Sequence, residues 1–261
     1  MTFPTSAAIR SSVRSAFQAS LPKRAFGLVG SGLIALSLSG CQSVTGSPTL
    51  SQVRIIDASP DAPGLDIYQG SSILAYNLGL GTITSYVPIT PGTYGILADN
   101  ANTRQQMVSA QGTFQTGNQY TVLIGNYSNQ LQELILKDQG TAAPSGQISV
   151  RFIDESTRGG NIDLYLIPTG STILTVKPVL TNVAFNLNTG YFNVPAGTYT
   201  LAALPAGTIP TATGTTLFTS ATISYSSGAA RTFVLLDQQL VTTPGIQVII
   251  ANDFDSAGAT S

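Results

Sequence analysis

Histidine and tryptophan are absent from this 261-residue chain, and cysteine occurs once, at Cys41. Without histidine there is no Ser-His-Asp triad, no Cys-His pair and no histidine-bearing zinc site. A single cysteine excludes an intramolecular disulfide, so stability has to come from packed apolar cores. Charge is scarce as well: 9% of residues are charged, against 43% hydrophobic. The surface is therefore polar but largely uncharged. No glycine-rich phosphate-binding pattern opens a helix, and no cofactor is expected.

Acidic residues are missing from positions 1–40, which carry Arg10, Arg14, Lys23 and Arg24. An uncharged stretch rich in Leu, Val, Ile, Ala and Gly follows at 25–40. A basic segment, a short apolar run and small residues, in that order, make a secretory signal. The apolar run is shorter than the ~20 residues of a membrane-spanning helix. It ends in Leu38-Ser39-Gly40-Cys41, which resembles the lipobox of bacterial lipoproteins. The resemblance implies recognition of Leu38, Ser39 and Gly40 by a signal peptidase, cleavage before Cys41, and lipid on the Cys41 thiol. Three acyl chains, the family precedent, make attachment effectively permanent, since each buried methylene contributes about 0.8 kcal/mol. Gln42 follows the cysteine in place of an aspartate that resembles an inner-membrane retention signal, which favours the outer membrane.

Four of the 11 basic residues and none of the 12 acidic ones precede Cys41, leaving a formal charge of −5 on the remainder. Nucleic acid is excluded as a partner, because its binding needs clustered Lys and Arg. The expected partners are the membrane, through lipid on Cys41, and an envelope or extracellular protein or glycan.

The chain also repeats itself. Val53-Arg54-Ile55-Ile56-Asp57-Ala58-Ser59 aligns with Val150-Arg151-Phe152-Ile153-Asp154-Glu155-Ser156, and Leu65-Asp66-Ile67-Tyr68 with Ile162-Asp163-Leu164-Tyr165. Pro91-Gly92-Thr93-Tyr94 matches Ala196-Gly197-Thr198-Tyr199, and Thr121-Val122-Leu123-Ile124 matches Thr232-Phe233-Val234-Leu235. Four blocks in one order predict two homologous domains, at 52–140 and 147–255. Residues 1–40 are then the signal peptide, 41–51 the lipidated cysteine and a polar tether, 141–146 a Gly/Pro/Ser-type linker and 256–261 a tail.

Within each copy, strand-length runs rich in Val, Ile, Thr and Tyr alternate with period two between Gly, Pro and Asn signals. The pattern predicts an all-β fold of two tandem antiparallel β-sandwiches, immunoglobulin-like or transthyretin-like, with an open barrel as the rival. Gly92 and Gly197 read as hairpin-turn glycines with positive φ.

The opening Val53-Arg54-Ile55-Ile56-Asp57-Ala58-Ser59-Pro60-Asp61-Ala62-Pro63, with Leu65-Asp66-Ile67-Tyr68 and the later Val87-Pro88 and Pro91-Gly92-Thr93-Tyr94, resembles the bacterial domain-of-unknown-function family 4397. The second copy keeps the strands but replaces the turn by Ser156-Thr157-Arg158-Gly159-Gly160. The resemblance implies a secreted or surface-anchored β-sandwich protein and no particular activity.

Chemistry is left to carboxylates, hydroxyls and a few Lys and Tyr. Asp57, Asp61 and Asp66 form the densest acidic group. They can hold Ca²⁺, which takes six to eight oxygens, or supply a carboxylate pair for glycoside hydrolysis. They can equally cap turns by accepting backbone N–H bonds. Asp57 and Asp66 recur as Asp154 and Asp163, which favours a framework role. Asp57 shares the face of Val53 and Ile55, so it needs a partner, either Arg54 or loop amides. Tyr68, Tyr165, Tyr94 and Tyr199 can stack on glycans or pack against the sheet. The expectation is a non-catalytic, membrane-anchored envelope protein with a binding, adhesion or structural role. The alternatives are a carbohydrate-active module, binding or hydrolytic, and a calcium-stabilised adhesion module.

Overall fold

The two copies fold as two β-sandwiches, each a pair of four-stranded sheets. The structure, a computed structural model, describes residues 49–212, 214, 216–238 and 245–255. Domain 1 consists of β1 (Ser51–Asp57), β2 (Leu65–Gln69), β3 (Ser72–Leu78), β4 (Val87–Ile89), β5 (Gly92–Asn100), β6 (Gln106–Phe114), β7 (Gln119–Gly125) and β8 (Gln132–Lys137). Domain 2 repeats the series as β9 (Gln147–Glu155), β10 (Ile162–Pro168), β11 (Leu180–Val183), β12 (Phe192–Pro195), β13 (Gly197–Pro205), β14 (Phe218–Tyr225), β15 (Ala230–Asp237) and β16 (Ile246–Phe254). The sheet orders are β4-β1-β7-β8 and β3-β2-β5-β6 in domain 1, then β12-β9-β15-β16 and β11-β10-β13-β14 in domain 2. No helix among the described residues is long and apolar enough to cross a membrane.

The sheets are not wholly antiparallel. β1 pairs with β7 in parallel, and β9 with β15. A parallel pair needs a long crossover, and here the intervening strands of each domain supply it. Gly92 and Gly197 also differ from the expectation, because they open β5 and β13 rather than forming turns. Gly92 is close to extended at φ 158°. Its missing side chain makes room for Tyr94, whose ring carbons would lie 2.7 and 2.9 Å from a Cβ at 92.

Alternation places two apolar faces on each central strand. Val53 and Ile55 of β1 join Leu65, Ile67, Ile96, Ala98, Phe114, Val122 and Ile124 in the core of domain 1. Val150 and Phe152 of β9 occupy the matching place in domain 2, where Phe152 stacks on Phe233 at 4.7 Å between ring centroids. The opposite faces of β1 and β9 are buried as well. Ile56, Ala58 and Leu123 of domain 1 pack with Ile153, Val234, Leu236 and Ala251 of domain 2 in a third apolar cluster. The sheets containing β1 and β9 thus lie between two cores each. That explains strands buried along nearly their whole length, as for strands covered on both faces. Each large aliphatic side chain buried there contributes about 1.5–3 kcal/mol, which ties the domains together rather than leaving them to swing.

The connector is docked too. Ala143 is buried and donates its N–H to the Gly228 carbonyl, and the Gly146 N–H reaches the Ser227 hydroxyl.

Candidate functional site

Asp57 ends β1, Asp61 lies in the loop that follows and Asp66 stands in β2, each with a backbone amide on its carboxylate. Asp57 Oδ1 accepts the Ser59 N–H at 2.9 Å, Asp61 Oδ1 the Ser128 N–H at 2.7 Å, and Asp66 Oδ1 the Asn77 N–H at 2.8 Å. Domain 2 repeats two of these bonds, Asp154 to Ser156 and Asp163 to Asn182. Asn77 and Asn182 are both left-handed, at φ 46° and 54°. Asparagine tolerates that region better than most residues, and the aspartate holds the turned backbone in place. Among the described residues, no three His, Cys, Asp or Glu side chains group so as to hold a metal ion. The tyrosines lean inward: Tyr165 and Tyr199 are buried, Tyr68 and Tyr94 half-buried. The hydroxyls of Tyr94 and Tyr199 donate to the carbonyls of Pro91 and Pro195. Leu38, Ser39, Gly40 and Cys41 lie outside the described residues.

The densest buried chemistry lies between the domains, where the sequence reading had placed nothing. Arg54 alternates away from Asp57 and points at domain 2. Its Nε donates to Thr121 Oγ1 at 2.8 Å, its Nη1 to the Asn252 carbonyl at 2.9 Å, and its Nη2 to Asp253 Oδ1. Arg151 does the same in reverse. Its Nε donates to Thr232 Oγ1 at 3.0 Å, its Nη1 to the Lys137 carbonyl at 3.2 Å, and its Nη2 to Asp138 Oδ1 at 2.6 Å. The threonine hydroxyls close each ring, Thr121 onto Asp138 at 2.7 Å and Thr232 onto Asp253 at 2.8 Å. Tyr86 lies under Arg54 with its centroid 4.9 Å from the guanidinium carbon, and Tyr191 under Arg151 at 4.6 Å. Such contacts are reciprocal in the manner of an isologous two-fold interface.

Two arginines and two aspartates balance in charge and are all fully or nearly buried. Burial by itself pulls the Arg54 pKa down. Asp138 and Asp253 outweigh it and hold the guanidinium firmly charged. Burial also raises the Tyr86 and Tyr191 hydroxyls well above the ordinary tyrosine range, which keeps them as neutral donors. Every arm of the network is a hydrogen bond or an ion pair, the condition under which buried charges are tolerated. The site fixes geometry. It offers no carboxylate, hydroxyl or guanidinium to a substrate.

Five acidic side chains, Asp57, Asp99, Glu133, Asp154 and Glu155, carry buried oxygens without full compensation. Desolvation pushes Asp57 up to about 7 against the Ser59 amide, Glu155 up to about 7 with Asp154 adding to the effect, and Glu133 up to about 8. Asp154 rises to about 6, chiefly by burial, with the Ser156 hydroxyl and amide pulling it back. Asp57 Oδ2, Asp99 Oδ1, Asp154 Oδ2 and Glu155 Oε2 are buried without a hydrogen-bond partner.

A signal for the network was present in the repeat. Gln132-Glu133-Leu134-Ile135-Leu136-Lys137-Asp138 aligns with Gln247-Val248-Ile249-Ile250-Ala251-Asn252-Asp253, and Tyr86 with Tyr191. These fifth and sixth blocks carry both aspartates and both tyrosines.

No curated protein matches the chain. Among solved structures, the Bacillus anthracis TIE protein matches at 12% identity and a TM-score of 0.22, over 73% of this chain and 34% of that one. The chain thus spans about a third of that protein's length. The family 26 carbohydrate-binding module CBMbc of Eubacterium rectale Amy13K, solved with maltoheptaose, matches at 10% identity and a TM-score of 0.23, over 79% of this chain and all of that one. Neither similarity is close enough to bring a ligand to this chain. The family model is more direct: residues 51–165, from the start of β1 to Tyr165 in β10, match the model of the domain of unknown function DUF4397.

Proposed function

We propose that this chain is a non-catalytic lipoprotein of the bacterial cell envelope, lipid-anchored at Cys41 and presenting two fused β-sandwiches as one rigid body to an envelope or extracellular protein or glycan. One observation carries the non-catalytic reading. Arg54, Arg151, Asp138 and Asp253 are spent on one another between the domains, and Asp57, Asp61 and Asp66 each hold a backbone amide. The anchor rests on Leu38-Ser39-Gly40-Cys41 behind an uncharged run. Gln42 directs it to the outer membrane. Two coupled domains suit a scaffold or adhesion role, because a bound partner then meets one fixed surface and does not have to order two moving ones.

The test is the intact mass of the membrane-fraction protein, made in a bacterium with and without an inhibitor of the lipoprotein signal peptidase. A species beginning at Cys41 and carrying a lipid adduct, lost on inhibition and in Cys41→Ser, is expected. A soluble species cut elsewhere and free of lipid overturns the anchor.

A further inference from the structure

The reciprocal arginine network cannot by itself tell one domain from the other. Arg54 bonds Asp253 of domain 2 but also lies 3.6 Å from Asp138 of its own domain. Each domain therefore offers the same arginine, aspartate, threonine and tyrosine to whatever covers it. A like domain from a second copy would find its polar half complementary.

The apolar half is different. The equivalents of Ala58 and Gly125 in domain 1 are Glu155 and Leu236 in domain 2. In each sheet the two residues are neighbours at the same end of the parallel strand pair. The Ala58 N–H bonds the carbonyl of Ile124, next to Gly125, and Leu236 stands in register with Glu155. Domain 1 thus presents a notch, and domain 2 presents a knob.

The knob sits in the notch. A Cβ on Gly125 would fall 2.0 Å from Glu155 Oε2 and 2.6 Å from its Cδ. Glu155 is 1% exposed, so its carboxylate has little room to retreat. On the reciprocal side, Ala58 and Leu236 share the interdomain apolar cluster. Pairing domain 1 with domain 1 would set notch against notch and leave two voids. Pairing domain 2 with domain 2 would set Glu155 against Leu236 twice, a carboxylate driven into a filled apolar position. Both faults are costly, the first as cavity and the second as overpacking.

We propose that Ala58, Gly125, Glu155 and Leu236 are the specificity-determining residues of a heterotypic docking surface, which accepts the unlike domain and refuses its own kind. A second copy of this chain then has one way to use the surface, the exchange of whole domains, in which each unlike pair is rebuilt between chains. Like-with-like association through this face is closed.

The intact chain can report this with four double variants built from the same four substitutions. Gly125→Leu with Glu155→Ala, and Ala58→Glu with Leu236→Gly, keep a large residue opposite a small one on both sides. Ala58→Glu with Gly125→Leu makes both faces knobs, and Glu155→Ala with Leu236→Gly makes both notches. Each complementary double is expected to melt at least about 5 °C above the like-faced double that shares one of its substitutions. Equal melting temperatures in the two classes, or losses that simply add from the single variants, overturn the proposal. Should the knob-on-knob chain fail to fold, the comparison of Ala58→Glu/Leu236→Gly with Glu155→Ala/Leu236→Gly decides, since the latter only removes atoms.

Discussion

Arg54, on the first described strand, is held by Asp253, on the last described strand, and the two side chains are at most 4% exposed. The bond spans 199 positions of sequence and closes the chain on itself. Its counterpart, Arg151 to Asp138, spans 13. The two aspartates are not equally loaded. Asp138 accepts from Arg151, Thr121 and Tyr86, whereas Asp253 accepts from Arg54 and Thr232.

Removing one partner of a buried ion pair strands the other, at a cost of about 3–5 kcal/mol. Asp138→Ala is therefore expected to destabilise the chain by about that amount, and more than Asp253→Ala, because it orphans a third donor as well. Denaturant midpoints at constant slope measure both. An Asp253→Ala loss equal to or larger than that of Asp138→Ala would contradict this reading of the network.

Stability should fall as pH rises, the reverse of the usual carboxylate pattern. Asp57, Asp154, Glu155 and Glu133 are raised to about 7, 6, 7 and 8 in the folded chain, against about 3.9 for Asp and 4.3 for Glu when unfolded. Between those limits the folded state holds more protons than the unfolded one, so each added pH unit favours unfolding. Their contribution is complete below about pH 4 and is lost as pH climbs through 6 to 8. A melting temperature lower at pH 8 than at pH 5, by about 5–10 °C, is expected. Glu155→Gln, which keeps the shape, should flatten the upper part of that profile. A melting temperature that rises from pH 5 to 8 would show these carboxyls ionised in the folded state.

Sequence made the strands, the repeat and the all-β class legible because period-two alternation and turn residues are local signals. The resemblance to the DUF4397 opening was carried by residues 53–68, inside the segment the family model matches. What stayed hidden was the second buried face of β1 and β9. Alternation puts Arg54 opposite Val53 and Ile55, which reads as solvent-facing until Asp253 arrives from the far end of the chain. A hint was there: Ile56 shares the Arg54 face, and an isoleucine with an arginine on a supposed outer face points to a covered one. The turn carboxylates were open to reading because their bonds reach residues two to eleven positions away for Asp57 and Asp66, although Asp61 reaches Ser128. Sheet direction was missed because the parallel pairing of β1 with β7 depends on topology, which no local pattern encodes.

Calcium should leave the fold indifferent. The hard cation needs six to eight oxygens converging at 2.3–2.6 Å, and among the described residues no three acidic side chains come together to supply them. Asp57, Asp61 and Asp66 instead each hold a backbone amide from a different stretch of the chain. To recruit them, the ion would have to break those bonds and strain the left-handed Asn77 that Asp66 restrains. Calorimetry in millimolar calcium and in excess chelator is therefore expected to give the same melting temperature within about 1 °C, since a ligand stabilises only by binding the folded state. A chelator-induced fall of several degrees would instead place a calcium site in the molecule and restore the adhesion-module reading. In contrast, Asp66→Ala, which frees the Asn77 amide to water, should cost about 0.5–1.5 kcal/mol with or without calcium.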